Sequence, residues 1–209
     1  MTTRRALFAA LLALAVCAQN ASAGKREEPK EDDHLPKEYI YAGFQEARFS
    51  CRVPRDWRKV RSGIFNPTEK VYGIILLGPA DRYKLSPTIA IYYYAPDNPD
   101  FADAGEYIAM HQEAAMWTKE GKILSKPKQV KIAGKPATSF SRDAFSYASG
   151  RSSDGRDIKK RDDFVVLPRD DGSFYALTYS ASHYEHPRWL PVFDKVLQSF
   201  RPAEEERKK

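Results

Sequence analysis

Residues 174–200, FYALTYSASHYEHPRWLPVFDKVLQSF, constrain the fold more than any other stretch of this chain. Tyr175, Leu177 and Tyr179 alternate at the period of two expected for one face of a strand. A short connection follows, and then Val192, Val196 and Phe200 recur at helical spacing with Phe193 and Leu197 beside them. Pro191 is placed to open that helix, because the first helical position needs no backbone N–H. A core strand that hands directly to an amphipathic helix obliges the helix to pack back onto a sheet.

The rest of the chain supplies that sheet. Residues 47–53 alternate Phe49, Cys51 and Val53 with Arg48, Ser50 and Arg52, which predicts a half-buried strand with Cys51 facing inward. Pro54 ends it, and Trp57 follows in a turn. Residues 71–77 and 88–94 are near-continuous apolar runs set off by Gly78-Pro79 and Ser86-Pro87, as expected of strands covered on both faces. Residues 103–120 read as a helix, with Asp103 and Glu106 forming a capping box and Gly121 at the far end. Its apolar face is Tyr107, Met110, Ala114 and Trp117, edged by Ile108 and Ala115, with His111 in the middle of that arc. Further strands are expected at 128–132, 137–147, 163–167 and 174–180. Phe140 and Phe145 have opposite parity, which predicts a bulge or an early break in the second of these. Residues 149–160 read as a polar loop, and Pro168 to Gly172 carry hairpin-turn chemistry. About seven strands joined mostly by short turns, with two substantial helices, predict an α+β fold: a largely antiparallel β-sheet flanked by helices.

Three pieces of this pattern resemble the PsbP-like superfamily, whose domains are α/β/α sandwiches. Phe49-Ser50-Cys51-Arg52-Val53-Pro54-Arg55-Asp56-Trp57 is similar to that family's opening strand, proline and tryptophan. Ile132-Ala133-Gly134-Lys135-Pro136-Ala137 resembles its mid-domain turn, and Tyr175-Ala176-Leu177-Thr178-Tyr179-Ser180-Ala181 with Val196-Leu197-Gln198-Ser199-Phe200 resembles its closing strand and helix. The family commonly has glycine where this chain has Asp56. The resemblance implies a non-enzymatic accessory or binding domain and leaves the partner open, because one fold serves unrelated functions.

The N-terminus reads as an export signal. Arg4 and Arg5 precede a short apolar run, and Ala21-Ser22-Ala23 is a cleavage site. The organisation expected is a signal peptide at 1–23, a charged disordered linker at 24–37, a PsbP-like domain at 38–200 and a charged tail at 201–209. The run is too short for a membrane span, which needs about 20 apolar residues. Val16 stands where a lipoprotein signal places a small residue, so cleavage after Ala23 is expected over lipid anchoring at Cys17. The expected location is the periplasm or the extracellular space. The whole chain carries a net charge of +6, and losing Arg4 and Arg5 leaves +4. That balance excludes a strongly basic nucleic-acid binder.

Candidate site residues fall into three sets. Arg52, Arg55, Trp57 and Arg58, with Lys59 and Arg61, form a local basic cluster expected at the surface, where it would bind a protein, an envelope component or an anionic surface. Lys122, Lys126, Lys128, Lys131 and Lys135 form a second cluster that would reinforce the first if the two lie together. His111 is either a hydrogen-bonded core histidine or the polar point of a small-ligand pocket between helix and sheet. His183 and His186, with Glu185, are turn histidines or, alternatively, a metal pair, although Pro187 argues against the regular helix that would hold such ligands. Asp162, Asp163, Asp170 and Asp171 match no EF-hand spacing, and His34 falls in the linker. Cys51 is expected to be an inert buried thiol, and the tyrosines at 92–94 to pack on both faces of one strand. No nucleophile motif, phosphate loop or cofactor signature is present, so no catalytic residue and no cofactor are assigned.

Overall fold

The computed structural model describes residues 35–60, 68–112, 122–147 and 157–204. The predicted leader, most of the predicted linker with His34, Arg61, the second half of the predicted first helix with Ala114 and Trp117, and residues 149–156 of the predicted 149–160 loop lie outside them.

The elements run β1 (Tyr39–Phe44), β2 (Phe49–Pro54), β3 (Arg58–Val60), β4 (Val71–Leu77), β5 (Thr88–Tyr94), α1 (Ala104–Gln112), β6 (Lys122–Ile132), β7 (Lys135–Tyr147), β8 (Asp157–Pro168), β9 (Phe174–Ser182), α2 (His186–Ser199) and β10 (Arg201–Pro202). A seven-stranded sheet has the order β3-β4-β5-β9-β8-β7-β6, and a small sheet has the order β1-β2-β10. Every strand pair in the two sheets is antiparallel.

Strand parity divides the core in two. On one face of the large sheet, Ile89, Ile91 and Tyr93 of β5 join Tyr175, Leu177 and Tyr179 of β9, Cys51 and Val53 of β2, and Val192, Phe193 and Val196 of α2. Each of those three helix side chains, fully buried, contributes roughly 1.5–3 kcal/mol. On the other face, Tyr94, Phe140, Phe164, Val166 and Phe174 lie under Ala104 and Tyr107 of α1. The large sheet is thus sandwiched between α1 on one side and α2 with the small sheet on the other. The α+β class and the largely antiparallel sheet stand as expected.

Local chemistry accounts for the punctuation. Asp103 Oδ1 accepts the Glu106 N–H at 2.9 Å, and Glu106 Oε2 accepts the Ala102 N–H at 2.6 Å, so the start of α1 is capped from both directions. Ala133 and Gly134 take φ of 50° and 78° and form the two-residue turn between β6 and β7. Positive φ at both central residues matches the right-handed twist of a hairpin.

Several expectations are corrected. The closing helix begins at His186, not Pro191: Pro187 sits in its first turn, where a proline is tolerated, and Pro191 lies inside it. Phe140 and Phe145 share one uninterrupted β7–β8 register, and the irregularity falls instead on β6, between Ile123 and Lys128. β6 is an edge strand, so Pro127 can replace a ladder donor there. β8 already begins at Asp157 inside the predicted loop. Met110, assigned to the apolar face of α1, is 49% exposed. The linker and tail also contribute: Leu35 packs against the main core, and β10 pairs with β2 at Arg201↔Ser50 and Pro202↔Phe49. Among the described residues, no helix is long and apolar enough to cross a membrane.

Candidate functional site

Two concave surfaces lie on opposite faces of the large sheet. The first runs beside α1 and is about 580 Å³ in volume. Its polar end is a row across three strands, because Arg142 of β7 is directly opposite Asp162 of β8, which is opposite Ser180 of β9. Arg142 Nε donates to Asp162 Oδ2 at 3.2 Å, Ser180 Oγ donates to Asp162 Oδ1 at 2.6 Å, and Arg142 Nη1 donates to the His111 carbonyl at 3.1 Å. The guanidinium also stands 5.1 Å from the centre of the Phe164 ring.

His111 belongs to this groove. Its ring stacks on Tyr107 at 4.0 Å and meets Phe164 edge-on at 5.2 Å. Nδ1 is 2.9 Å from the Tyr107 carbonyl, an acceptor only, so Nδ1 carries the proton. Burial holds the imidazole below its ordinary value, and nearby Arg142 acts in the same direction. Burial likewise pushes up the Tyr92, Tyr94 and Tyr107 hydroxyls. Both sequence readings of His111 therefore meet in one place: its ring is packed and hydrogen-bonded, and it lines a groove between helix and sheet.

The second concavity, about 600 Å³, lies between the small sheet and the C-terminal half of α2. Among the described residues it is lined by Tyr39, Tyr41, Arg52, Lys195, Gln198, Ser199 and Arg201, a set with three cations and no carboxylate. The Arg52 backbone N–H donates to Ser199 Oγ at 2.9 Å, tying β2 to the helix. Lys195 Nζ stands 4.8 Å from the centre of the Tyr39 ring, and the Tyr41 and Ser50 hydroxyls are hydrogen-bonded. Arg201 Nη1 reaches the Gln198 and Phe200 carbonyls at 3.0 and 2.7 Å.

This arrangement regroups the predicted basic cluster. Arg52 joins Lys195 and Arg201, far from it in sequence, while Arg55 pairs with Glu38 at 2.6 Å outside the cleft. Trp57, expected at the surface, is 3% exposed and meets Trp189 edge-on at 5.9 Å, because the turn after β2 folds its ring onto the main core. Arg58 is exposed on β3. The lysine cluster lies on β6 and the start of β7, at the opposite edge of the sheet from β3, so the two predicted basic clusters do not combine.

The histidine pair is also split. His183 is exposed, whereas His186 is buried and its Nε2 lies 2.7 Å from Asp163 Oδ2. Among the described residues, no group of three or more His, Cys, Asp or Glu side chains is placed to hold a metal. Asp171 accepts from the Ser173 backbone N–H at 3.0 Å, which is turn chemistry. Cys51 is fully buried, and burial pushes its thiol up to about 12. Tyr93 belongs to one core, while Tyr92 and Tyr94 pack on the other face and line the groove.

The sequence did not single out Tyr39 and Tyr41, because β1 carries no period-two alternation, nor Arg201, which falls in the expected charged tail, nor Lys195, an exposed position of α2. Arg142 and Ser180 were not singled out either, and Asp162 was weighed only as a calcium ligand. Their signal was parity, since Arg142 and Asp162 share a strand face with the buried Phe140 and Phe164.

No family model and no curated protein matches the chain. Among solved structures, a cyanobacterial PsbP (CyanoP) from Synechocystis superposes with a TM-score of 0.52 at 13% identity, covering 78% of this chain and 92% of that one. LpqN, involved in cell envelope biogenesis of Mycobacterium tuberculosis, superposes at 0.50 with 15% identity, covering 80% and 91%. At such identities the likeness speaks to architecture, and the architecture is that of the PsbP-like fold.

Proposed function

We propose that this chain is an exported, non-catalytic binding module of the cell envelope that holds a phosphate-bearing component in the Arg52–Lys195–Arg201 cleft. The observation that carries this reading is the gathering of three cations, with no carboxylate among the described lining residues, beside Tyr39 and Tyr41 of one strand. Like charges held together favour an anion that neutralises them, and tyrosines supply apolar contact with a polar tip. The export signal in the sequence and the likeness to LpqN, an envelope-biogenesis protein, support the compartment. Cys51, fully buried with its thiol pushed up by burial, is no nucleophile in the folded protein.

Binding of the purified protein to phosphatidylglycerol–phosphatidylcholine vesicles tests this, with phosphatidylcholine alone and inorganic phosphate as the other arms. Vesicle binding that weakens with salt assigns a lipid source, and saturable binding of phosphate alone assigns a soluble one. Arg52→Glu with Lys195→Glu should weaken whichever is observed by at least about tenfold, each close charge being worth about 1 kcal/mol. Binding unchanged in that double variant, or no binding in either anionic arm, sinks the reading.

A further inference from the structure

We infer that the groove beside α1 is a second binding site, independent of the basic cleft, and that it takes a saccharide chain through Tyr92 and the cross-sheet row Arg142–Asp162–Ser180. The row is built by strand register, three side chains on three neighbouring strands facing the same way. At about 4.8 Å per strand it spans about 10 Å, roughly the length of a disaccharide.

The chemistry of the row suits hydroxyl groups. Each Asp162 oxygen accepts one hydrogen bond within the row and keeps a lone pair, while the guanidinium beside it carries several N–H donors. A sugar hydroxyl both donates and accepts, so it is served by an acceptor and a donor held side by side. The row is internally paired, which keeps its geometry in place before any ligand arrives.

Tyr92 supplies the apolar half. Its ring lies over Gly73, where an added Cβ would fall 2.6 Å from Tyr92 Cδ1 and 2.3 Å from the Ile91 carbonyl oxygen. The ring sits there because position 73 has no side chain. It is half-buried, meets Tyr94 edge-on at 6.3 Å, and lines the groove with Ala90 and Val71. A fixed aromatic ring is a platform for the C–H face of a pyranose.

Charge argues against an anionic ligand. Among the described lining residues the cations Arg142 and Lys160 are outnumbered by Glu69, Asp100 and Asp162, so these side chains do not draw an anion, unlike those of the cleft on the other side. The volume of about 580 Å³ falls in the range of small-ligand sites.

The test is titration of the 15N-labelled protein with chitotetraose, cellotetraose and maltotetraose, with tetra-alanine as a peptide control. At least one saccharide should shift the amides of Tyr92, Thr178, Ser180 and Asp162 as a group. Tyr92→Leu and Ser180→Ala, chosen to leave the Arg142–Asp162 pair intact, should each weaken that binding by at least about fivefold, with the spectrum otherwise preserved. No groove shift from any saccharide up to about 10 mM, a range that covers even weak sites, overturns the inference. So does an equal response to tetra-alanine, which would assign the groove to extended peptide. Loss of anion binding in the Arg52→Glu, Lys195→Glu variant should leave the saccharide shifts unchanged, so the two readings fail separately.

Discussion

His186 Nε2 lies 2.7 Å from Asp163 Oδ2, and this contact pins the first turn of α2 to the middle of β8. Both side chains are largely buried, at 4% and 14% exposure. The Tyr179 hydroxyl donates to the His186 carbonyl at 2.8 Å, so the helix start is held from two strands. Burial by itself would raise the Asp163 carboxyl. Hydrogen bonds from His186 and Ser141, with the charges of His186 and Arg161, outweigh it and hold the group below its ordinary 3.8. A carboxylate depressed in the folded state adds stability that is fully present above 3.8 and is lost as pH falls below it. Asp163→Asn should therefore lower stability at neutral pH by about 1–3 kcal/mol, as expected when a buried hydrogen-bond partner loses its charged acceptor. It should also flatten the acid limb of stability against pH, measured by urea unfolding between about pH 2 and 6. An unchanged acid limb would remove Asp163 from this role.

His111 should titrate below the ordinary histidine value of 6.5, because burial against Tyr107 and Phe164 disfavours its charged form. A histidine lowered on folding adds stability above 6.5 that is lost as pH falls through that value, since the unfolded chain then binds the extra proton. Carbon-bound ring proton shifts followed by NMR from about pH 4 to 8 give its titration directly. His183, which is exposed, is the internal comparison.

Gly78 is a packing requirement. A Cβ there would lie 2.7 Å from Pro87 Cγ and 2.8 Å from the Trp57 ring. Trp57 is backed by Trp189 and cannot yield freely. Gly78→Ala should destabilise by about 1–3 kcal/mol through overpacking. Urea unfolding followed by tryptophan fluorescence measures it, and a loss below about 0.5 kcal/mol would show that the tryptophan pair relaxes.

Cys51 should be silent toward a thiol reagent in the folded protein and react at the ordinary rate once unfolded. It is fully buried, and its thiol is pushed up to about 12. Reaction followed by absorbance in buffer and in denaturant checks this, and fast reaction in buffer would mean that β2 opens readily.

The strands were legible in proportion to their alternation. β2 and β9 stand within a few residues of where period-two patterning places them, and β4 and β5 where near-continuous apolar runs between turn residues place them. β1 and β10 were not legible. β1, YIYAGF, is apolar throughout with half its residues exposed, and β10 is two residues long, so neither carries a period-two signature. The start of α2 was misplaced because two prolines compete for the first turn, and the Asp163–His186 contact favours the earlier one. Of the site residues, His111 and Arg52 were named from sequence, and the charged clusters around them were not.

The amino-acid sequence by itself determined the elements that bury a continuous face: the central strands, the capped α1 and the apolar stripe of α2. Periodicity is a local property, and those faces satisfy it without reference to their partners. Only the tertiary structure decided the two concave surfaces. Arg52 meets Lys195 and Arg201, and Arg142 meets Asp162 and Ser180, through pairings between strands and a helix distant in sequence. Register and layer order set which charged side chains share a face, and one residue of slip would have sent each to the opposite side of the sheet.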